Sequence, residues 1–134
     1  MFLSAITTSF AVTAPAGAAE PPDNPPPAIS ITPSTMMLSV STGERVRPDA
    51  RRVVLQCHPA GGDHPKAVAA CMRLASRGGQ FATLNAHPNR PCVLLHAPVT
   101  VTASGSWRGR LVRYQETFGN SCVLRAKTGP VFQF

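Results

Sequence analysis

Four cysteines, Cys57, Cys71, Cys92 and Cys122, in a chain of only 134 residues constrain this protein more than any other feature. Without an N-terminal segment the chain would keep about 100 to 115 residues, which bury roughly 60 to 68% of their unfolded surface and support one modest core. Four cysteines are consistent with two disulfides, which compensate for a small apolar interior and persist where the environment is oxidising. The compartment is therefore the first question.

The first 19 residues carry no charged side chain, run through Phe2, Leu3, Ile6, Phe10 and Val12, and close on Ala14-Pro15-Ala16-Gly17-Ala18-Ala19. This stretch resembles a secretory signal peptide cleaved after Ala18 or Ala19, although no Lys or Arg stands near Met1. It is too short to span a bilayer and is interrupted by Thr7, Thr8 and Ser9, so no membrane anchor is expected. Residues 20–34 hold a run of prolines and read as an extended mobile arm, leaving 35–134 as the folded domain of a secreted, extracellular protein.

Within that domain Met36, Leu38 and Val40 alternate on one face of a strand, and a Thr42-Gly43 turn signal follows. Val53, Leu55 and Cys57 share a face of a second strand and point inward. Pro65 opens a helical run in which Val68, Cys71, Met72 and Ala75 form an apolar stripe, with Gly78-Gly79 as its stop. A bridge from Cys57 to Cys71 would pin strand to helix and contribute about 3 kcal/mol in the chain-entropy model. Farther on, 98–102 alternates, 103–106 reads as a turn and 107–118 as the returning strand. Residues 123–126 and 131–134, separated by Thr128-Gly129-Pro130, suggest a final hairpin.

Several chemistries fit poorly. Cys57, His58, His64 and Cys71 cluster in sequence, but zinc sites space paired ligands two to four residues apart, so neither a metal nor another cofactor is expected. Asp63-His64 are neighbours, but adjacency is not a triad; there is no Gly-x-Ser-x-Gly elbow and only 6 acidic residues, so no enzyme activity is expected. A formal charge of +7 with 6% aromatics and arginines scattered as singles and pairs reads as a basic soluble surface rather than a nucleic-acid site.

The segment from Arg90 to Pro98 is apolar and flanked by Pro91 and Pro98, which push their neighbours toward extended geometry. An extended exposed loop is one reading; on local sequence alone, an edge strand leading into Val99 is the simpler one.

Leu55-x-Cys57, Gly62-x-His64-Pro65, Ala70-Cys71-x-x-Leu74, Cys92 and Pro98-Val99-Thr100-Val101-Thr102 occur in order with Gly105-x-Trp107-x-Gly109. They continue into Phe118-x-Asn120-x-Cys122 and Thr128-Gly129-x-Val131-Phe132-x-Phe134. Together these residues resemble the Streptomyces subtilisin inhibitor family from about Met36 to the end of the chain. The resemblance implies an α+β fold, a five-stranded antiparallel sheet with two short helices, usually a homodimer formed through the sheet. It also implies disulfides Cys57 to Cys71 and Cys92 to Cys122.

By the same resemblance the reactive loop is Cys92, Val93, Leu94, Leu95 and His96, with the scissile bond between Leu94 and Leu95 and a subtilisin-like serine protease as partner. A large uncharged side chain at Leu94 suits an apolar specificity pocket. Asn120 is the expected brace, its amide reaching loop carbonyls; a plain turn role is the alternative. Two positions depart from the family pattern: Val93 stands where proline is common, and His96 where tyrosine is usual, so contacts on the leaving side are expected to differ. The expected function is protease inhibition by substrate-like insertion of this loop. The alternative is a secreted basic binding module of the same fold that has lost inhibition.

Overall fold

A computed structural model describes residues 8–14, 17 and 32–134. The chain divides into two units, Met1–Ser30 and Ile31–Phe134, and the architecture is that of the second. Most of the expected leader and proline-rich arm lies outside the described residues. Among the described residues no helix is long and apolar enough to cross a membrane.

Five strands form one antiparallel sheet: β1 (Ser34–Thr42), β2 (Arg51–Cys57), β3 (Gly61–Gly62), β4 (Val99–Trp107) and β5 (Arg110–Phe118), in the order β3-β2-β1-β4-β5. Two helices, α1 (Ala67–Ala75) and α2 (Ser121–Thr128), with single 3-10 turns at Phe81–Thr83 and Gly129–Phe132, complete the domain. The apolar face expected in β1 is observed, with Met36, Leu38 and Val40 buried and Met37 exposed, while Ser39 and Ser41 on the other face are buried as well. Leu55 and Cys57 of β2 face the same core, to which Leu74, Leu84, Val101 and Val131 add fully buried side chains. Burying each large apolar side chain contributes about 1.5 to 3 kcal/mol relative to exposure. The two bridges are Cys57–Cys71 and Cys92–Cys122.

Three local readings are corrected. The fourth strand does not turn at 103–106; it continues through Gly105, and the turn is Arg108-Gly109, with φ of 47° and 81°. Two consecutive positive φ values give the twist that joins antiparallel strands tightly. Gly105 serves a different purpose: a Cβ there would lie 2.1 Å from the Thr35 carbonyl oxygen, so the glycine permits β1 and β4 to approach. The true turn is tied down by Ser34 at the start of β1, whose hydroxyl accepts the Arg108 backbone N–H at 2.9 Å and lies 3.1 Å from His58 Nδ1.

Helix α1 buries Ala70 and Leu74, with Ala67 and Cys71 half-turned to the core, while Val68 and Met72 are 65% and 69% exposed. Ala67, Ala70, Cys71 and Leu74 are spaced as well as the expected stripe. The bridge to Cys57 fixes Cys71 at the strand end, and small alanines let the backbone sit close to the sheet.

The final hairpin is replaced by helix α2 and the 3-10 turn after it. Asn120 caps α2 by accepting the Val123 N–H at 2.9 Å, and Leu124 and Thr128, one turn apart, are its buried face. Gly129-Pro130 therefore ends one helix and opens the next turn rather than closing a hairpin.

His64 behaves as a helix-opening residue. Buried against Phe134, it donates from Nε2 to the Val131 carbonyl at 2.8 Å and accepts the Lys66 N–H at Nδ1 at 2.9 Å, so the last residues are stitched to the start of α1.

Candidate functional site

Strand β4 begins only at Val99, and 90–98 has no regular secondary structure, which settles the choice between edge strand and loop in favour of the loop. Its prolines exclude the segment from a ladder, and its hydrogen bonds go instead to side chains and neighbouring turns. Val93, Leu94 and Leu95 are exposed, Leu94 completely. Three consecutive apolar side chains turned to solvent gain nothing for the fold, and such patches mark surfaces built for a partner.

The loop is nevertheless held at several points. Upstream, Cys92 is bridged to Cys122 in the first turn of α2, with Cα atoms 5.8 Å apart. In the middle, the nearly buried Asn120 donates from Nδ2 to the carbonyls of Val93 at 3.1 Å and Leu95 at 2.9 Å. Its Oδ1 is occupied by the Val123 N–H, so one amide group caps the helix and grips the loop on both sides of Leu94. Downstream, the Ala97 N–H donates to the Gly119 carbonyl at 2.9 Å, and the Pro98 carbonyl accepts the Gly43 N–H at 2.7 Å. His96 Nε2 lies 3.7 Å from Glu44 Oε1 in the β1–β2 turn, with both side chains exposed.

Every residue expected at the site, Cys92 through His96 with Asn120 and Cys122, is thus brought together. Cys57 and Cys71 are elsewhere, joining β2 to α1. Sequence reasoning missed the platform: the loop rests on the start of a helix and on the carbonyl of Gly119 and the N–H of Gly43. The Asn120-x-x-Val123 spacing before Gly129 was the legible signal for that helix.

A two-bridge α+β domain that presents an exposed, apolar and multiply anchored loop defines a class of small binding proteins. The family model described as subtilisin inhibitor-like matches residues 32–120, and the chain belongs to that family. Subtilisin inhibitor-like protein 5 of Streptomyces fradiae is 44% identical over 105 residues, 76% of this chain and 98% of that protein. A subtilase-type protease inhibitor of Streptomyces coelicolor is 40% identical over 131 residues, 95% of this chain and 91% of that protein. Among solved structures, Streptomyces caespitosus sermetstatin in complex with Bacillus licheniformis subtilisin matches with a TM-score of 0.61 and 35% identity, covering 77% of this chain and 100% of that chain.

Proposed function

We propose that this protein inhibits subtilisin-like serine proteases by presenting Cys92 to His96 as a substrate-like strand, with Leu94 in the specificity pocket and Leu94–Leu95 as the scissile bond. The observation that carries this reading is the Asn120 clamp. It holds the carbonyls before and after Leu94 while leaving the Leu94 side chain fully exposed.

The Leu94 N–H and C=O take part in none of the hydrogen bonds that hold the loop, so this backbone can add to the cleft as a strand while the apolar side chain fills a pocket. The Leu94 carbonyl is directed to the donors that stabilise an oxyanion during attack by the protease serine. Cleavage would join the Leu94 carbonyl carbon to that serine and give the Leu95 nitrogen a proton as the new amine. In an ordinary substrate the amine then diffuses away. Here Val93 is tied by Asn120 and the Cys92–Cys122 bridge, while Leu95 is tied by Asn120 and the Ala97 and Pro98 backbone bonds. The amine stays beside the acyl carbon at high effective concentration, and re-formation of the peptide bond outruns release. Because the loop is ordered before binding, little conformational entropy is lost on association.

The protein is read as a secreted inhibitor and not itself an enzyme, with residues 1–19 as its leader and an arm that ends at residue 33, because Ser34 is already the buried first residue of β1; two disulfides in a small domain support an oxidising, extracellular setting. It is also read as a homodimer through the sheet face opposite the helices. The exposure of Met37 and Leu111 on that face supports this.

Titration of the oxidised protein against subtilisin, with mass mapping of any slow cut, tests the proposal. Stoichiometric inhibition with cleavage confined to Leu94–Leu95 is the expected result. Full protease activity with rapid digestion overturns it and favours the non-inhibitory binding module.

A further inference from the structure

At the exit of the loop the sheet meets a proline. Strands β1 and β4 pair antiparallel with Thr42 opposite Val99, so the next positions outward, Gly43 and Pro98, face each other. In a hydrogen-bonded antiparallel pair the two residues exchange two bonds, each N–H to the other's carbonyl. Gly43 makes its half, donating to the Pro98 carbonyl at 2.7 Å. Pro98 has no N–H to return, so the Gly43 carbonyl lacks its ladder donor. Thr100, two residues farther along β4 and fully buried, supplies one: its hydroxyl donates to the Gly43 carbonyl at 2.9 Å. A threonine hydroxyl carries one proton, so in the 2.8 Å contact between Thr100 and Thr117 of β5 the donor is Thr117 and the acceptor Thr100 Oγ1. Gly43 is thereby gripped at its N–H by Pro98 and at its carbonyl by Thr100.

We infer that Thr100 is a positioning residue for the inhibitory reaction: its hydroxyl replaces the amide hydrogen that Pro98 lacks and so fixes the leaving-side arm of the loop, Leu95 to Pro98. This rests on the reading of Leu94–Leu95 as the scissile bond. The two arms are held differently. The Val93 side has the covalent Cys92–Cys122 bridge. The Leu95 side is held without a covalent link, by Asn120 on the Leu95 carbonyl, Ala97 on Gly119, Gly43 on Pro98 and the exposed His96–Glu44 contact. Once the protease serine is acylated, the Leu95 amine attacks the Leu94 carbonyl carbon, the bond to the serine oxygen breaks, and the proton the amine loses returns to that oxygen. If the arm has moved away, water attacks instead, leaving a carboxyl group on Leu94 and a free amine on Leu95. The partition depends on how well the amine is kept in place. Thr100, being buried, acts on it through Gly43 and Pro98 rather than by contact with the protease.

The test incubates the oxidised chain with a catalytic amount of subtilisin and follows the ratio of cleaved to intact Leu94–Leu95 by mass spectrometry to equilibrium, beside the inhibition constant and the melting temperature. Thr100→Val keeps the side-chain shape, removes the hydroxyl and is expected to raise the ratio about tenfold, whereas Thr100→Ser keeps the donor and stays within about twofold of the parent. Cys57→Ser/Cys71→Ser loses more stability yet leaves the ratio near the parent's, since lower stability alone does not move it. Pro98→Ala restores an N–H opposite Gly43, so adding Thr100→Val in that background changes the ratio by less than about twofold. With an inhibitory parent, four results would each overturn the inference alone: a ratio unchanged by Thr100→Val, a Thr100→Ser ratio as high as that of Thr100→Val, the same shift in the disulfide variant, or full additivity of Thr100→Val with Pro98→Ala. A parent that leaves subtilisin fully active overturns the inhibitory reading itself, and this inference with it.

Discussion

The two disulfides of this domain share one chemistry and serve opposite ends. Cys57–Cys71 spans 14 positions and lies against the core, where Cys57 is buried between sheet and helix. Cys92–Cys122 spans 30 positions and ties a solvent-facing loop to the start of α2. Chain entropy assigns them similar stabilisation, about 3 and 3.5 kcal/mol, so stability alone does not distinguish them. Their surroundings do. The inner bridge joins two elements already packed together, whereas the outer one orders a segment with no core of its own. Strain-free positioning of an exposed loop demands covalent and polar anchors, because burial supplies none.

The sharpest way to break this comparison is at the loop tip. Leu94→Asp is expected to weaken inhibition of subtilisin about 10³-fold with an unchanged melting temperature, since the side chain is fully exposed and would meet only the protease in the proposed complex; parallel inhibition and thermal assays check this. Leu94→Lys should shift inhibition toward trypsin, which a competition assay with both proteases reads out.

Next come the bridges themselves. Cys92→Ser/Cys122→Ser is expected to weaken inhibition about 10²-fold and hasten cleavage. Cys57→Ser/Cys71→Ser should cost about 3 kcal/mol of stability yet leave the inhibition constant near that of the parent wherever the domain stays folded. Equal loss of inhibition in both variants would erase the distinction between the two ends.

Asn120 permits a finer cut. Asn120→Asp retains an oxygen to cap α2 but removes both donors to the Val93 and Leu95 carbonyls. Inhibition is expected to weaken about tenfold with little change in melting temperature. Asn120→Ala loses both functions, adding about 1 kcal/mol of destabilisation. Val93→Pro acts in the other direction: fixing φ in the free loop should tighten inhibition a few-fold, and unchanged or weaker inhibition would refute a softened loop at this position.

The smallest effect lies in the body. Burial, and then the hydrogen bond to the neighbouring Glu116 carboxylate, push the Tyr114 phenol well above its ordinary value of 10.0. The folded state therefore holds this proton where the unfolded chain releases it. The associated stability is complete below about pH 10 and declines as pH rises further. Tyr114→Phe should flatten that decline in melting temperatures measured between about pH 9 and 11.

The loop was not legible locally: despite Pro91 and Pro98, residues 90–98 read more simply as an edge strand, and only family resemblance pointed to a loop around Leu94 with Asn120 and Cys122 as its expected supports. The face of β1 was legible, since a period of two leaves no choice once Met36, Leu38 and Val40 alternate. The face of α1 was not. Two apolar stripes share its nine residues, and the sheet and the Cys57 bridge selected Ala70 and Leu74 over Val68 and Met72.

The sequence by itself thus determined the alternation of the strands, the inward position of Cys57, and an extended segment around Leu94. Only the tertiary structure decided that residues 121–128 form a helix rather than a strand, that Gly105 is a contact between strands rather than a turn, and that one Asn120 amide serves both helix and loop. The physical reason is separation along the chain. Thr35 and Gly105, or Val93 and Asn120, meet only after the sheet has closed, and no short window of sequence encodes a contact of that span.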